Sequence, residues 1–577
     1  MTRTIRTWAA ALALGGMLGG CLGAGDLAQE SDLDAADEGH EAASAAGGFL
    51  AGRFARAQGD TRAAATYFTR TLSEAGNDPA ILQRGLAIYM ADGRIDDALA
   101  VAQRVVSVNP RHGAANLLLA AAAHKAGKPV EALRRVGAAA ASEAGAQHRA
   151  LVLAWTRFAL EDVDGALGAL ADLPDSGVLA GQRAFHAGLM NELARRPQAA
   201  EANYRSVIPA DRSGPVRAIE ALGGFYERQG RQEEALALYR GFVASSGESP
   251  DAVYLLRRAE RGVAPPPVVA DAVAGLAEAY YYLAAAMFDP RTREVSDAAV
   301  RVALWLVPEH AGARSLLGDL FESQGRIEDS LAALEAVPAG SAYGWSSRLR
   351  VAQLLDRLDR VGDAAALLGR MAAEEPMRTD AASLLGDLMR RRSRWADAIA
   401  AYGQALARLP AAERRHWRLH YARGIALERA KRWPEAEADF LKALELQPEE
   451  PDVLNYLGYS WVEMGENLER AQAMIEKAVA LRPMSGHIVD SLGWVMFRLG
   501  RYEAAVTHLD RATTLVPGDA VINDHLGDAL WMVGRRAEAE FQWRRALTLS
   551  PEADLAREIE RKLREGLRDP KRVHVGS

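Results

Sequence analysis

Residues 486–517 read GHIVDSLGWVMFRLGRYEAAVTHLDRATTLVP, and residues 520–551 read AVINDHLGDALWMVGRRAEAEFQWRRALTLSP. When the two lines are aligned, a glycine, two alanines and a closing proline fall in the same columns. The same columns extend back to Met377, which gives five units in register. The closing prolines, Pro410, Pro448, Pro483, Pro517 and Pro551, are separated by 38, 35, 34 and 34 residues. A nearly fixed step of this kind indicates an array of repeated structural units.

Each column has a physical reason in a pair of packed helices. A glycine in the first helix lets the second helix approach closely, and the alanines do the same where one unit meets the next. A large side chain, at Tyr402, Phe440, Ile475, Leu509 and Trp543, fills the space between the helices. Proline cannot continue a helix and ends each unit. The sequence therefore predicts helix-turn-helix units that pack through Gly386, Gly424, Gly458, Gly493 and Gly527.

This pattern resembles the tetratricopeptide repeat (TPR), a helix-turn-helix unit of roughly 34 residues. Less regular matches precede it, so the predicted N-terminal TPR array covers residues 47–262 and the C-terminal TPR array covers residues 310–551. The resemblance implies an all-α fold. We expect a TPR superhelical solenoid of about fourteen helix-turn-helix repeats, preceded by a disordered N-terminal tether.

Between the two arrays, residues 263–309 depart from the pattern. Pro265, Pro266 and Pro267 form a stiff segment that no helix can cross, and a helix with three consecutive tyrosines follows. We predict an irregular linker and a degenerate repeat here, with a boundary between two superhelical halves near residue 262. The alternative is a long loop inside one continuous solenoid. Residues 552–577 are predicted to form a capping helix, which an open solenoid end requires, and a tail.

The N-terminus has the features of an export signal. Residues 1–20 contain two arginines and then an apolar run that is too short to span a membrane comfortably. The following Leu18-Gly19-Gly20-Cys21 resembles the lipobox of bacterial lipoproteins, whose signal peptide is removed and whose cysteine is lipidated. The resemblance implies that Cys21 carries a lipid anchor. The alternatives are an ordinary secretory signal with an incidental cysteine, and an uncleaved anchor.

Residues 21–46 are acidic and contain no lysine or arginine. Such a segment buries too little apolar surface to fold, so we predict a flexible tether between the lipid and the folded body. Leu22, rather than an aspartate, follows the cysteine, which by resemblance to enteric lipoproteins favours the outer membrane. The implied location is the bacterial cell envelope, with the protein lipid-anchored at the outer membrane and facing the periplasm.

Composition and motifs exclude several functions. The net charge is −7 over 577 residues and no basic tract stands out, so nucleic acid is not an expected partner. The sequence has no glycine-rich phosphate loop and no nucleophile elbow. His416 and His420 are four residues apart on one predicted helix, but they lack a third metal ligand. We therefore predict no catalytic residues, no metal, no cofactor and no enzymatic activity.

In a TPR array the first helix of each unit lines a concave groove. Counting from the packing glycines predicts a partner-binding set in the last three units: Asn455, Tyr459, Asp490, Trp494, Phe497, Arg498, Asp524, Asp528 and Trp531. The same count also places Glu428, Arg429, Glu463 and His487 on this face. The four aromatic members are expected to be exposed and flanked by charge, which is typical of protein-binding sites. The alternative is that neighbouring helices or the terminal helix cover them.

A narrower resemblance combines the lipobox, the fourteen-unit length, the mid-chain Ala-Glu-Ala-Tyr-Tyr-Tyr-Leu-Ala element and two strings. These strings are Asp490-Ser-Leu-Gly-Trp494 and Asp524-His-Leu-Gly-Asp-Ala-Leu-Trp531. Together these features resemble the outer-membrane TPR lipoproteins that partner periplasmic C-terminal processing proteases. The resemblance implies an adaptor that binds the protease and its substrates, often peptidoglycan hydrolases, and promotes their degradation. Two partners held on one rigid surface meet at a raised effective concentration.

Two other function classes stay open at this point. The first is a structural component of an envelope machine, such as polysaccharide export or outer-membrane assembly, with no protease involved. The second is an enzyme that uses the TPR array as a substrate arm. The enzyme is the weaker hypothesis because almost no sequence is left outside the repeats to form a catalytic domain.

Overall fold

The computed structural model describes residues 45–567 except 75, 141–145, 248, 410 and 412. Thirty α-helices and no β-strand occur in this part of the chain, which confirms the predicted all-α class. The first thirteen helices are α1 (Ala45–Ala57), α2 (Thr61–Glu74), α3 (Pro79–Asp92), α4 (Ile95–Val108), α5 (Gly113–Lys125), α6 (Pro129–Ala138), α7 (Ala146–Ala159), α8 (Val163–Leu170), α9 (Gly177–Leu193), α10 (Pro197–Val207), α11 (Val216–Arg228), α12 (Gln232–Ser245) and α13 (Pro250–Glu260).

The remaining helices are α14 (Ala272–Ala286), α15 (Arg293–Leu306), α16 (Ala311–Ser323), α17 (Ile327–Glu335), α18 (Gly344–Arg357), α19 (Val361–Glu374), α20 (Asp380–Arg391), α21 (Trp395–Ala407), α22 (Trp417–Arg429), α23 (Trp433–Leu446), α24 (Pro451–Met464), α25 (Leu468–Leu481), α26 (Gly486–Arg498), α27 (Tyr502–Leu515), α28 (Ala520–Met532), α29 (Arg536–Thr548) and α30 (Ala553–Glu565). Neighbouring helices pair into fourteen hairpins, from α1–α2 to α11–α12 and from α14–α15 to α28–α29. The predicted number of repeats is therefore confirmed, and α13 and α30 stand outside the pairs.

One residue in the left-handed conformation closes the turn between the two helices of nearly every hairpin. These residues have φ between +55° and +89°, and they are Gly59, Gly93, Gly127, Glu161, Arg195, Gly230, Gly325, Asp359, Ser393, Lys431, Gly465, Gly500 and Gly534. Glycine adopts this conformation without a steric penalty, whereas a side chain makes it costly. The five non-glycine members show that packing of the two helices imposes the turn even where the local sequence does not favour it.

The five packing glycines lie where two helices of a hairpin touch. A Cβ atom added at Gly386, Gly493 or Gly527 would lie 2.5 Å from the side chain of Tyr402, Leu509 or Trp543, respectively. At Gly424 and Gly458 the corresponding distances, to Phe440 and Ile475, are 2.7 and 2.8 Å. Each glycine therefore faces the large side chain of the second helix, and there is no room for a methyl group between them.

The hairpin α14–α15 lies against the N-terminal array instead of continuing its stack. α14 contacts α5, α7 and α9, and α15 contacts α3, α4 and α5. We call the face formed by the first helices α3, α5, α7, α9 and α11 the N-terminal groove. The hairpin also packs against α16, so it is the first unit of the second array as well as the occupant of the N-terminal groove.

Further contacts join the two ends of the N-terminal array to the second array. At one end, Arg56 forms an ion pair with Glu294, and the Arg326 guanidinium donates to the hydroxyl of Thr61 at 3.2 Å. At the other end, α13 packs on α18, and Arg261 forms an ion pair with Glu375 at 2.7 Å. The two arrays therefore contact each other at both ends of the N-terminal array, in addition to being joined by the chain near residue 262.

Several predicted segments lie outside the described residues. These are the signal peptide (1–20), Cys21, nearly all of the tether (21–46) and the tail beyond residue 567. The helix α1 begins at Ala45, two residues before the predicted start of the array. Among the described helices, none combines the length and apolar character needed to cross a membrane.

Candidate functional site

A cavity of about 560 Å³ opens between the first helices α22, α24 and α26. We call the face formed by α20, α22, α24, α26 and α28 the C-terminal groove. Seven of the thirteen residues that line the cavity are groove positions predicted from the repeat count: Glu428, Arg429, Asn455, Tyr459, Glu463, His487 and Asp490. The structure therefore brings together side chains that are spread over about 60 residues of sequence, because the repeat places them at equivalent positions of stacked helices.

Two residues that line this cavity each have a buried polar atom with no hydrogen-bond partner among the described residues. One is the indole Nε1 of Trp433, which is a donor, and the other is the side-chain Oδ1 of Asn455, which is an acceptor. Burying such a group without a partner costs about 1–3 kcal/mol. A free donor and a free acceptor beside one cavity are the complement of a polypeptide backbone, which offers both a carbonyl and an N–H.

Charges of both signs and two tyrosines surround these atoms. Glu428 accepts a hydrogen bond from the Tyr456 hydroxyl at 3.1 Å, and Arg429 lies 3.5 Å from the same carboxylate. Burial, followed by the charge of Glu428, raises the pKa of Tyr456 to about 12. Burial also raises the pKa of Tyr459, with smaller contributions from the carboxylates of Glu463 and Asp490. Both tyrosines are therefore neutral hydroxyls at physiological pH, able to donate and accept hydrogen bonds.

Trp494 lies in a stack of aromatic rings and is only partly exposed. The ring of Phe497 is 4.9 Å away and nearly parallel, and the imidazole of His525 is 4.0 Å away. The indole N–H donates to Glu463, and Arg498 lies 3.6 Å from this carboxylate. Phe497 is only 4% exposed, so the expectation that its ring stands open to a partner is wrong. The stacked rings hold α26 against α28, and they leave only part of the Trp494 side chain accessible to a partner.

Three predicted groove carboxylates are also buried, which corrects the expectation that they are free to bind. Asp490, Asp524 and Asp528 are only 6%, 4% and 4% exposed. The ammonium of Lys562, in α30, donates to Asp524 and Asp528 at 2.7 and 2.8 Å. Burial, followed by the charge of Asp524, raises the pKa of Asp528 to about 6, and the lysine partly offsets this. Of the three, Asp490 alone lines the cavity.

His525 connects the cavity to this buried charge cluster. Its Nδ1 lies 3.0 Å from an oxygen of Asp490. Burial opposes protonation of His525, but the carboxylate of Asp490, followed by those of Asp524 and Asp528, outweighs it and raises the pKa. Lys562 and His525 together supply the positive charge that the three buried carboxylates require.

Trp531 is covered by the terminal helix, as the alternative interpretation of the sequence allowed. A Cβ atom at Gly566, just past the end of α30, would lie 2.5 Å from its indole. Trp531 also packs at 5.3 Å on the ring of Trp543, and the guanidinium of Arg536 lies over it. The predicted exposure of Trp531 is therefore wrong, because α30 occupies the groove of the last unit.

The repeat count missed several residues of the cavity, above all Trp433 and Tyr456. Trp433 is the first residue of the second helix α23, and the count sampled first helices alone. Tyr456 stands two residues before the packing glycine Gly458, at a position that the count does not sample. A search for aromatic residues next to intra-unit turns would have found Trp433. Within the described residues, no three His, Cys, Asp or Glu side chains are grouped as metal ligands.

Models of the tetratricopeptide repeat match residues 293–344, 385–451 and 462–520, and a second such model matches residues 89–152. The fold is a TPR solenoid.

The TPR repeat-containing protein PA4667 of Pseudomonas aeruginosa is 27% identical over 194 residues, which are 33% of this chain and 32% of that protein. The chain thus matches about a third of the length of this curated relative. Solenoids of this kind present extended concave surfaces that can bind other proteins.

Solved TPR structures resemble the chain at low sequence identity. A TPR protein from Parabacteroides merdae is 14% identical, with a TM-score of 0.36 over 43% of this chain and 94% of its own. A chain of the APC/C hetero-tetramer Cut9-Hcn1 is 15% identical, with a TM-score of 0.35 over 90% of this chain and 95% of its own. YrrB, described as a TPR protein with an unusual peptide-binding site, is 20% identical, with a TM-score of 0.28 over 34% of this chain and 97% of its own.

Proposed function

We propose that this chain is a non-catalytic scaffold that holds a protein partner in the C-terminal groove, at the cavity between α22, α24 and α26. The cavity carries this proposal, because the repeat assembles seven predicted groove residues around it, and a segment that displaces the side chains covering Trp433 Nε1 and Asn455 Oδ1 would also give these two atoms partners. Tyr459 supplies an aromatic surface beside them, and the flanking charges of both signs favour a partner segment that is itself mixed in charge.

The proposal is tested by partner recovery from envelope extract of the host bacterium. A chain carrying both Asn455→Ala and Tyr459→Ala is compared with wild type. Each substitution removes a central contact worth more than about 1 kcal/mol, so recovery of the groove partner falls at least about tenfold. Phe541→Ala is the matched control, because Phe541 is an exposed aromatic residue (62%) on the outer helix α29. Equal recovery by all three chains would remove the groove from the proposal.

We further propose that the scaffold is a lipoprotein of the cell envelope, anchored through Cys21 at the outer membrane and facing the periplasm. The lipobox resemblance of Leu18-Gly19-Gly20-Cys21 supports this. Several acyl chains, each contributing about 0.8 kcal/mol per buried CH₂, make such an anchor durable. Radiolabelled palmitate is expected to label the wild-type chain but not Cys21→Ser. Absence of label from the wild type would end the anchoring proposal and leave the groove proposal untouched.

The partner that this proposal favours is a periplasmic C-terminal processing protease together with its substrates. The support is the combined resemblance of the lipobox, the fourteen units and the strings that begin at Asp490 and Asp524. The recovered proteins decide the matter. A protease lost from the Asn455→Ala, Tyr459→Ala chain supports the adaptor role, whereas a polysaccharide-export or outer-membrane assembly component in its place supports a structural role and contradicts it.

A further inference from the structure

The helix α14 presents three consecutive tyrosines to three different elements around it. Tyr280 packs on the imidazole of His148 in α7, with ring centroids 4.4 Å apart. Tyr282 packs on Phe185 and His186 in α9, at 5.3 and 5.7 Å. Tyr281 turns instead toward His310, 5.1 Å away at the start of α16. Each tyrosine of α14 thus meets a histidine, and two of these histidines belong to the N-terminal groove.

His148 is held in its neutral form by its surroundings. Both ring nitrogens are buried and have no hydrogen-bond partner among the described residues. Burial lowers the pKa of His148 to about 4. A second proton on this ring would create an unpaired buried cation, which is far more costly than an unpaired neutral group. Nearby on α5, His124 is likewise buried, but it bonds Thr156 at 2.8 Å and faces α7 rather than α14.

His186 is held neutral by a hydrogen bond as well as by burial. The indole N–H of Trp155 donates to Nδ1 of His186 at 3.1 Å, so this nitrogen carries no proton. A second proton would have to occupy Nδ1 and break that bond. Burial, followed by the repulsion that a proton on His148 would add, lowers the pKa of His186 to about 3.

His310 differs because it lies outside the N-terminal groove, at the start of α16. Its Nε2 lies 3.1 Å from Oε1 of Glu278, a buried α14 residue that also pairs with Arg217 of α11. Arg217 in turn donates to Glu220 at 2.9 Å. Burial, followed by the positive charge of Arg217, lowers the pKa of His310 to about 3 in spite of this carboxylate. All three histidines therefore oppose protonation, but only His148 and His186 lie in the groove that α14 would leave, because His310 begins α16, on which the hairpin also packs.

We propose that α14 is a removable occupant of the N-terminal groove, seated while His148 and His186 are neutral and released when both take up protons. Release would open the face that carries Trp155 and Phe185, which α14 and its tyrosines now cover. The C-terminal groove has no part in this step, so the inference goes beyond the proposed scaffold role and does not depend on it.

The direction of the pH dependence follows from linkage. A histidine freed from the groove has a pKa near its ordinary value of about 6.5, whereas the seated form binds protons only at much lower pH. Seating is therefore fully favoured above about pH 6.5, and each histidine weakens it by up to about tenfold per pH unit below that value. Together the two histidines weaken the seating of α14 by up to about 100-fold per pH unit. This pH dependence becomes smaller as the pH approaches the lowered pKa values of the seated form.

The test is amide hydrogen exchange of the full chain between about pH 7.5 and pH 5, corrected for the intrinsic pH dependence of exchange. Peptides from α14 and α15 are expected to lose protection steeply below about pH 6.5, while α20 to α28 keep theirs. His148→Phe fills the same space without a titrating group and reduces the slope to about tenfold per pH unit. The control is His508→Phe in α27, far from α14, which leaves the slope unchanged.

Two outcomes would overturn the proposal. The first is protection of α14 that does not change with pH in the wild-type chain. The second is loss of protection in α14 and in α20 to α28 at the same pH, which would show general acid unfolding. The wild-type series decides between these results by itself, even if the His148→Phe chain does not fold.

Discussion

At Gly527 a Cβ atom would lie 2.5 Å from the indole of Trp543, while at Gly369, in the second helix α19, it would meet nothing within 4 Å. Both glycines are helical, so they differ mainly in what faces them. Alanine substitutions at the two positions therefore separate two effects on stability. One is the destabilisation caused by crowding, and the other is the stabilisation that alanine gives over glycine at any helical position.

We expect Gly527→Ala to lower the free energy of unfolding by about 1–3 kcal/mol, because Trp543 must move away from the new methyl group. Gly369→Ala should instead raise it by about 0.5–1 kcal/mol, since alanine restricts the unfolded chain and favours the helix. Urea denaturation followed by circular dichroism measures both changes. Equal changes of the same sign would contradict the assignment of Gly527 to helix packing.

The sequence indicates the packing glycines well but the turns only in part. The glycines are visible because no other residue fits at their positions, so the column repeats without exception from Gly386 to Gly527. The left-handed turn position is occupied by Glu161 and Lys431 as well as by glycine. These residue types do not favour that conformation in isolation, and the packing of two helices overrides the local preference.

At the scale of one helix, α30 shows how a terminal element covers a site that the sequence leaves apparently open. The helix is held by Lys562, whose ammonium lies between Asp524 and Asp528 of α28. The repeat count placed both aspartates on the groove face but could not show that a residue 34 or 38 positions later would pair with them. The predicted exposure of Asp524, Asp528 and Trp531 was therefore wrong because the sequence pattern contains no tertiary information.

Lys562→Ala should release α30, because it leaves two buried carboxylates without their hydrogen-bonded ammonium and with His525 as the remaining positive group beside them. Removing one partner of a buried ion pair costs about 3–5 kcal/mol. Hydrogen exchange is expected to show loss of protection in α30 and α28, with α22 to α26 unchanged. Lys442→Ala is the control, because Lys442 forms an exposed pair with Glu445 at 2.7 Å, and such pairs contribute less than about 1 kcal/mol. Full protection of α30 in Lys562→Ala would show that apolar packing alone holds it.

The helix α14 illustrates the same limit in the middle of the chain. Its composition and the aspartate and proline that follow it predict a helix, and the structure contains it. Its place inside the N-terminal groove depends on contacts between distant residues, such as the 3.3 Å hydrogen bond from the Tyr280 hydroxyl to the carbonyl of Leu117. Periodicity describes only neighbouring units, so it cannot reveal that a later hairpin returns to an earlier array.

At the scale of the whole molecule, the two arrays contact each other at several places besides the linker that joins them. α14 and α15 lie in the N-terminal groove, α13 packs on α18, and Arg56 pairs with Glu294. The boundary predicted near residue 262 therefore marks a change in the sequence pattern. Contacts nevertheless join the residues before it to the residues after it. The arrays are expected to behave as one body under native conditions.

A cut in the linker tests this expectation. A protease recognition sequence inserted after Val263, a residue that is 72% exposed, should be cleaved in the folded protein. The two fragments should then elute together in size-exclusion chromatography. A cleaved chain that also carries Tyr280→Ala and Tyr282→Ala should separate, because each substitution removes a buried ring worth about 3–5 kcal/mol. Separation of the cleaved chain without these substitutions would contradict the shared interface.

The position of α14 and α15 in the chain also governs biosynthesis. The ribosome adds about 5–20 residues per second, so the segment that carries Trp155 and Phe185 leaves it several seconds or more before residues 272–306 follow. During that interval the nascent chain exposes Trp155 and Phe185 with nothing yet made to cover them. The opening half of the polypeptide therefore either stays unfolded or folds with its groove open until its own later segment arrives.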